Sequence, residues 1–248
     1  MPDGSRTAIS TNRLLQALDD ELRERVIDVG ESVHLAQKEV LAEPDRPHEF
    51  VHFPGDCVIS LITPFKDGGA VEVGTVGCEG MADLSVYLGN GRMHALVMAQ
   101  LPGEALRIPA ADFTALVEGS ARLRAVMGLY AQAFLSQVLQ SAACNGHHPI
   151  VARCARWLLM THDRVGSRQF ALTHELLAYM LGVRRAGVTE AAGSLQEAGH
   201  IRYSRGRVEI VDRDGLESAA CECYGVTSRV YESLLGDELS LRAVPHIG

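Results

Sequence analysis

Long apolar runs are missing from this sequence. No stretch of about 18 consecutive apolar residues occurs, so no membrane-spanning helix is expected. The first fifteen residues lack the basic-then-apolar order of a secretory signal, and a cytoplasmic protein is expected. No Cys-x-x-Cys pair occurs, and no second ligand pair at zinc-like spacing accompanies Cys221 and Cys223. A Cys-x-Cys pair alone is a weak metal signal, so no metal site is expected. Cys57, Cys78, Cys144 and Cys154 lie inside apolar runs, where a free cysteine is usually a small buried hydrophobe. A Ser-His-Asp order, a P-loop and a dinucleotide fingerprint are all absent, so the sequence is not expected to be that of an enzyme. The lesser alternative is a cupin-like metal enzyme built on His34, His48, His52 and His94. These do not form the tight His-x-His with a following Glu that such a site needs. No internal repeat or low-complexity tract is present.

Lysine is missing from one stretch that is nonetheless basic. Residues 150–213 hold ten arginines, no lysine and six acids, whereas residues 1–149 hold eleven basic and nineteen acidic residues and residues 214–248 hold two and six. A basic island in a chain of net charge −8 is the electrostatic footprint of a DNA-binding module.

The local pattern inside that island agrees. Thr173 is placed to cap a helix on which Leu176, Leu177 and Met180 fall on one side. Gly182 stands where the chain must turn sharply. Arg184 and Arg185 open a second helix with Val188, Ala191, Ala192 and Leu195 as its apolar positions, and Gly199 stops it. Two short amphipathic helices about a Gly-bearing turn describe a helix-turn-helix, whose second helix fits a major groove with its N-terminal residues at the base edges. A hairpin follows at Ile201–Val211, with a Ser-Arg-Gly-Arg tip suited to a β-turn and to phosphates.

Upstream the period changes twice. Residues 1–10 read as loosely attached, and helices are expected over Arg13–Leu18 and Asp20–Val29. Short β-prone segments follow near Ser32–Leu35, Glu39–Leu41, Phe50–Phe53, Cys57–Thr63, Ala70–Val76, His94–Leu101 and Ala105–Pro109, with a short helix over Met81–Leu88. Evenly spaced turns between many short strands suggest a sandwich, jelly roll or small barrel. Helical spacing then returns over Ala110–Val117, Ser120–Ala143 and Ile150–Asp163, with Pro149 as the break. Along the long helix Leu123, Met127, Tyr130, Phe134, Val138 and Ser141 recur at fours and threes, a coiled-coil-like seam. A dimer through that seam is expected, with Val126, Ala133 and Leu135 packing elsewhere. Helices over Asp214–Cys223 and near Ser228–Leu235 close the chain.

A β-roll, a long helix and a winged helix-turn-helix, in that order, resemble the Crp/Fnr family of bacterial transcription regulators over about residues 12–212. The fold class is then α+β: an antiparallel, cyclic-nucleotide-binding-like sensor roll (12–118), a dimerisation helix (119–146), a winged helix-turn-helix (147–213) and a helical tail (214–248). The resemblance implies a homodimer reading palindromic double-stranded DNA, with RNA polymerase as a partner if it activates; the other alternative is a signal- or partner-binding module whose winged helix contacts protein and not DNA. The family's recognition helix begins with a small residue and Arg-Glu, with a second Arg four residues later. Here Arg185 matches the first Arg, but Ala186 stands for the Glu and Glu190 for the second Arg, so the usual half-site is not carried over. Thr173, Arg184, Arg185, Gly187 and Thr189 are expected near DNA, with Arg205 and Arg207 near its backbone. Cyclic-nucleotide binders of the family use a Gly-Glu, a helix start and an Arg beside a small hydroxyl residue. Glu79, Gly80 and Met81 supply the first part, and Arg92 and His94 would complete an effector pocket. Arg92 is followed by Met93 and His94, which breaks the cassette and argues against cyclic AMP. No cysteine precedes Cys57, which argues against the N-terminal iron–sulfur cluster of the oxygen-sensing branch. A haem on Cys78, Met93 or His94 stays open, although a lone His near a strand is more often structural.

Overall fold

Two short helices, α1 (Arg13–Gln16) and α2 (Asp20–Asp28), lead into seven strands: β1 (Glu31–Leu35), β2 (Val40–Ala42), β3 (Phe50–Pro54), β4 (Val58–Pro64), β5 (Ala70–Val76), β6 (Leu96–Leu101) and β7 (Gly103–Pro109). They form two antiparallel sheets, ordered β1-β7-β3 and β2-β6-β4-β5. The computed structural model describes residues 11–236. The loosely attached segment expected at 1–10 and the last part of the tail lie outside the described residues. The helix expected over Met81–Leu88 is confined to α3 (Ser85–Leu88), because Asp83 takes a left-handed backbone (φ 68°) that no helix accepts.

The chain continues through α4 (Ala110–Gly119), the long α5 (Ala121–His147) and α6 (Ile150–Val165). Strand β8 (Gln169–Ala171), helices α7 (His174–Leu181) and α8 (Arg185–Glu197), and strands β9 (Ile201–Ser204) and β10 (Arg207–Ile210) make the basic module. Helices α9 (Arg213–Ala219) and α10 (Cys223–Leu235) end it. Among the described residues no helix is long and apolar enough to cross a membrane.

Strand β4 explains how the halves meet. Ile59 and Leu61 point into the roll, while Val58 and Ile62 join the core of the winged module beside Trp157, Leu177 and Met180. A strand covered on both faces reads as an unbroken apolar run, as Val58–Ile62 nearly does.

Helix α5 corrects the expected dimer seam. Leu123, Met127, Tyr130 and Phe134 are buried in the chain's own first core, with Val138 packed at its edge. Gly80 lies so close to the Tyr130 ring that a Cβ there would stand 2.4 Å from it. The physical reason is general: a helix lying on a sheet needs the same three-and-four spacing as a coiled coil. Val126 and Ala133 join that core too. The outward side carries Leu129, Leu135 and Leu139, which are 41%, 57% and 62% exposed. The tail also does more than trail: α10 lies along α5, and Tyr231 is fully buried in the first core.

Candidate nucleic-acid interface

The helix-turn-helix is built by short-range rules. The Thr173 hydroxyl accepts from Leu176 N at 3.1 Å and caps α7. Helix α7 ends at Gly182 in the left-handed region (φ 61°), and Val183 N donates back to Ala178 O. Gly182 has a second reason to lack a side chain, since a Cβ there would stand 2.9 Å from Val71 of β5. Arg184 then holds extended backbone before α8 begins at Arg185. Val188, Ala191, Ala192 and Leu195 are buried, so α8 is anchored along one side. Arg184, Arg185, Ala186, Thr189 and Glu190 are exposed at its start.

Gly187 is half-buried, and a Cβ there would meet Ile150 at 3.3 Å. Gly187 thus lets the start of α8 pack closely on Ile150. Thr189 donates to the Arg185 carbonyl at 3.1 Å, and its oxygen lies 3.1 Å from His174 Nδ1. Burial, and then the Arg185 charge, lower the His174 pKa. The imidazole thus favours its neutral form beside the helix start.

The wing is a three-stranded antiparallel sheet ordered β8-β10-β9. Its tip turns at Arg205 (φ 49°) and Gly206 (φ 74°). Two successive positive φ values are the geometry of a type I′ hairpin turn. Arg205 and Arg207 are exposed there, while Arg202 is tied to Glu209 across the strands at 2.6 Å.

The basic island is only partly a surface. Arg153, Arg156 and Arg164 of α6 are buried, and Arg213 pairs with Asp163 at 2.7 Å. Of the exposed remainder, Arg184 and Arg185 stand at the α8 start and Arg205 and Arg207 at the wing tip, while Arg168 lies ahead of β8 beside the far end of β10. Phe65, Asp67 and Val71 of the β4–β5 hairpin line a groove with Arg184 and Arg185. The roll therefore reaches the helix that carries the arginines.

The expected effector pocket does not assemble. Glu79 and Arg164 form a fully buried ion pair at 2.7 Å, and Arg164 also donates to Gln137 of α5 at 3.2 Å. Tyr130 packs on Gly80 and donates to Met81 O at 2.8 Å. Asn12 donates to Gly80 O at 2.9 Å. Glu79, Gly80 and Met81 are thus occupied by the chain itself. Arg92 and His94 lie on the surface, both bonded to Asp45. Cys78 is buried while His94 is exposed, so the haem candidates do not converge. The cupin-like histidines separate as well. His48 and His52 share the buried Asp83 at 2.9 and 2.8 Å, whereas His34 pairs with Glu104 at the surface.

One group went unread in the sequence. Cys144, His148, Cys221 and Cys223 bring their ligand atoms within 4.8 Å of one another. Cys144 and His148, one helical turn apart at the end of α5, thus stand beside Cys221 and Cys223 although more than seventy residues separate the two pairs.

A family model of the Crp-like helix-turn-helix domain matches residues 152–219. No curated protein matches the chain. Among solved structures, a protein from Eubacterium rectale described as a transcriptional regulator of the Crp/Fnr family is similar at 18% identity. That alignment covers 83% of this chain and 96% of that one, at a TM-score of 0.65. A CRP-family transcriptional regulator from Thermus thermophilus is similar at 16% identity, with 76% and 96% covered and a TM-score of 0.64. FixK2 from Bradyrhizobium japonicum is similar at 13% identity, with 78% and 98% covered and a TM-score of 0.64. Residues 152–219 are a Crp-like helix-turn-helix domain, and the chain that carries them has the fold of the Crp/Fnr transcription regulators.

Proposed function

We propose that this protein is a sequence-specific DNA-binding transcription regulator that acts as a homodimer. The observation that carries this reading is the exposure of Arg184 and Arg185 at the free start of α8, with Arg205 and Arg207 at the tip of the adjoining wing. Helix α8 enters a major groove, and Arg185 is the residue to contact a base edge. The wing arginines hold phosphate. Ala186 and Glu190 replace the family's usual Glu and Arg, so the half-site is this protein's own.

The dimer forms through the outward side of α5, where Leu129, Leu135 and Leu139 stand exposed beside Ala125, Ala142 and Ala143. Three large exposed side chains on one helix are what a partner helix would cover. As an activator, the dimer would also meet RNA polymerase. The cradle at Glu79–Met81 is filled by Tyr130, Asn12 and Arg164, which argues against a cyclic nucleotide there.

Selection of bound sequences from random duplex DNA by the purified full chain tests the reading. Two inverted half-sites with centres about one helical turn apart are the expected result. Absence of any enriched sequence, together with affinity indifferent to salt, would overturn it, because phosphate contacts make affinity fall steeply with salt.

A further inference from the structure

The cysteines the proposed function leaves unused are gathered at one corner. Cys144 lies in the last turn of α5, and His148 is the residue that ends that helix. Residues four apart stand one above the other on a helix. Cys221 and Cys223 flank Glu222 at the start of α10, which lies along α5. Cys144 Sγ is 3.5 Å from Cys221 Sγ, and Cys223 Sγ is 3.5 Å from His148 Nδ1. Four sulfur or nitrogen donors around one zinc ion, with metal–sulfur bonds near 2.3 Å, stand about 3.8 Å apart along the tetrahedron's edges. These donors are thus at the spacing of a single four-coordinate metal ion. They are too close for a cluster that seats each thiolate on a separate iron.

The surroundings fit a ligand set. His148 Nε2 lies 3.2 Å from the Glu222 carboxylate. That carboxylate orients the ring so that Nδ1 faces the thiols, the arrangement that supports metal-bound imidazoles. Gln140 Nε2 donates to Cys223 Sγ at 2.9 Å and fixes the position of that sulfur. All three cysteines are buried, while the His148 ring keeps 14% exposure, which leaves an entry path on its side.

We propose that Cys144, His148, Cys221 and Cys223 form a closed tetrahedral zinc site that clamps α10 to the end of α5. Thiolate and imidazole donors in this geometry suit zinc. Four protein donors leave no open position, so the site is structural. Binding releases one proton from each thiol, and the complex of three thiolates, one neutral imidazole and Zn²⁺ carries one negative charge. Arg153 links the corner to the reader: its Nε donates to Asn145 at 3.1 Å, and its guanidinium also donates to the Leu181 carbonyl at the helix-turn-helix turn. The clamp sits at the base of the module that meets DNA.

Elemental analysis of the full chain, purified under reducing conditions without chelator, tests this directly. About one zinc per chain is expected. Replacing that zinc with cobalt should give the visible bands of a tetrahedral ion and thiolate-to-cobalt charge transfer in the wild-type protein. C223S and H148Q should each lose the metal, whereas C154A, outside the group, should keep it. E222Q should keep zinc but bind it about 10- to 100-fold more weakly. Zinc-free protein from zinc-supplemented cells, with all thiols reduced, would overturn the proposal. So would iron with acid-labile sulfide, or a Cys144–Cys221 disulfide in the peptide map. None of these readouts depends on DNA binding, so the site can fail while the regulator survives, and the reverse.

Discussion

Replacing Glu72 with Gln should make the protein more stable at pH 8 and leave it nearly unchanged near pH 4.5. Glu72 lies on β5, buried where the roll meets α6 and α7. Its Oε1 accepts from the Trp157 indole at 3.0 Å, and its Oε2 lies 2.5 Å from Ser60 Oγ. Ser60 Oγ is also 2.5 Å from Gln100 Oε1. One hydroxyl proton cannot serve two acceptors. A protonated Glu72 resolves this by donating to Ser60, which donates to Gln100. Burial points the same way and pushes the carboxyl from 4.5 up to about 7. The folded state therefore holds a proton that the unfolded chain gives up above about 4.5. Its stabilisation is complete below that value, declines as pH rises toward 7, and is gone above. The difference corresponds to about 3 kcal/mol at most. Glutamine keeps both hydrogen bonds, accepting from Trp157 and donating to Ser60, and does not titrate. Urea unfolding of both proteins at pH 4.5, 6, 7 and 8, at one protein concentration and one ionic strength, supplies the measurement. The difference between them should grow from near zero to a few kcal/mol. Taking the difference cancels other titrating groups, such as His174, whose lowered pKa makes stability rise with pH over part of the same range. A difference that stays flat with pH would refute a neutral Glu72.

Three further outcomes are expected. Arg185→Ala should lose about 1–3 kcal/mol of discrimination between the selected site and random duplex, while Arg205→Ala should weaken both alike and reduce the salt slope by about 1. Fluorescence anisotropy titrations over a salt series separate the two, and equal loss for Arg185→Ala would make it a phosphate contact. Leu139→Glu should give a folded monomer in sedimentation, since Leu139 is 62% exposed. Met127→Glu, by contrast, should unfold the roll; a folded monomer from Met127→Glu would restore the seam first expected. Arg164→Met should cost about 3–5 kcal/mol by leaving the Glu79 charge buried and uncompensated. Adding Glu79→Gln should recover much of that loss in denaturant titrations, and failure to recover would show that packing, not charge, was lost.

Most of the strand positions were legible because Gly, Pro and Asp breaks separate segments with a period of two, a pattern that survives in a single sequence. The helix-turn-helix was legible for a similar reason: Thr173, Gly182 and the apolar spacing act within a few residues. Strand β8 was not, because three residues are too few to show a period. The facing of α5 was not either. The spacing of Leu123, Met127, Tyr130 and Phe134 is the same whether a sheet or a second helix covers them, and only the position of the roll decides. Arginine is equally ambiguous. Arg153, Arg156 and Arg164 add to a basic island in composition, yet they point inward. Cys144 and His148 stand more than seventy residues from Cys221 and Cys223, and neither pair signals a site until α10 folds back along α5.

Helix α6 is where these observations meet. A helix wedged between two cores would ordinarily be apolar around most of its surface, yet its buried positions hold three arginines. All three reach α5, at Gln137, Ser141 and Asn145, and two reach further: Arg164 also pairs with Glu79 of the roll, and Arg153 also donates to the Leu181 carbonyl of α7. Apolar contacts tolerate sliding, since their energy follows area and not direction. Charge-assisted hydrogen bonds are directional, and breaking one in the interior leaves a costly charge. The roll, the long helix and the reading module are therefore held in one mutual orientation by bonds that break rather than slip. Under the proposed function Arg184 and Arg185 are presented to a duplex at a fixed angle, and that would be the physical use of placing arginines where leucines would have filled the same space.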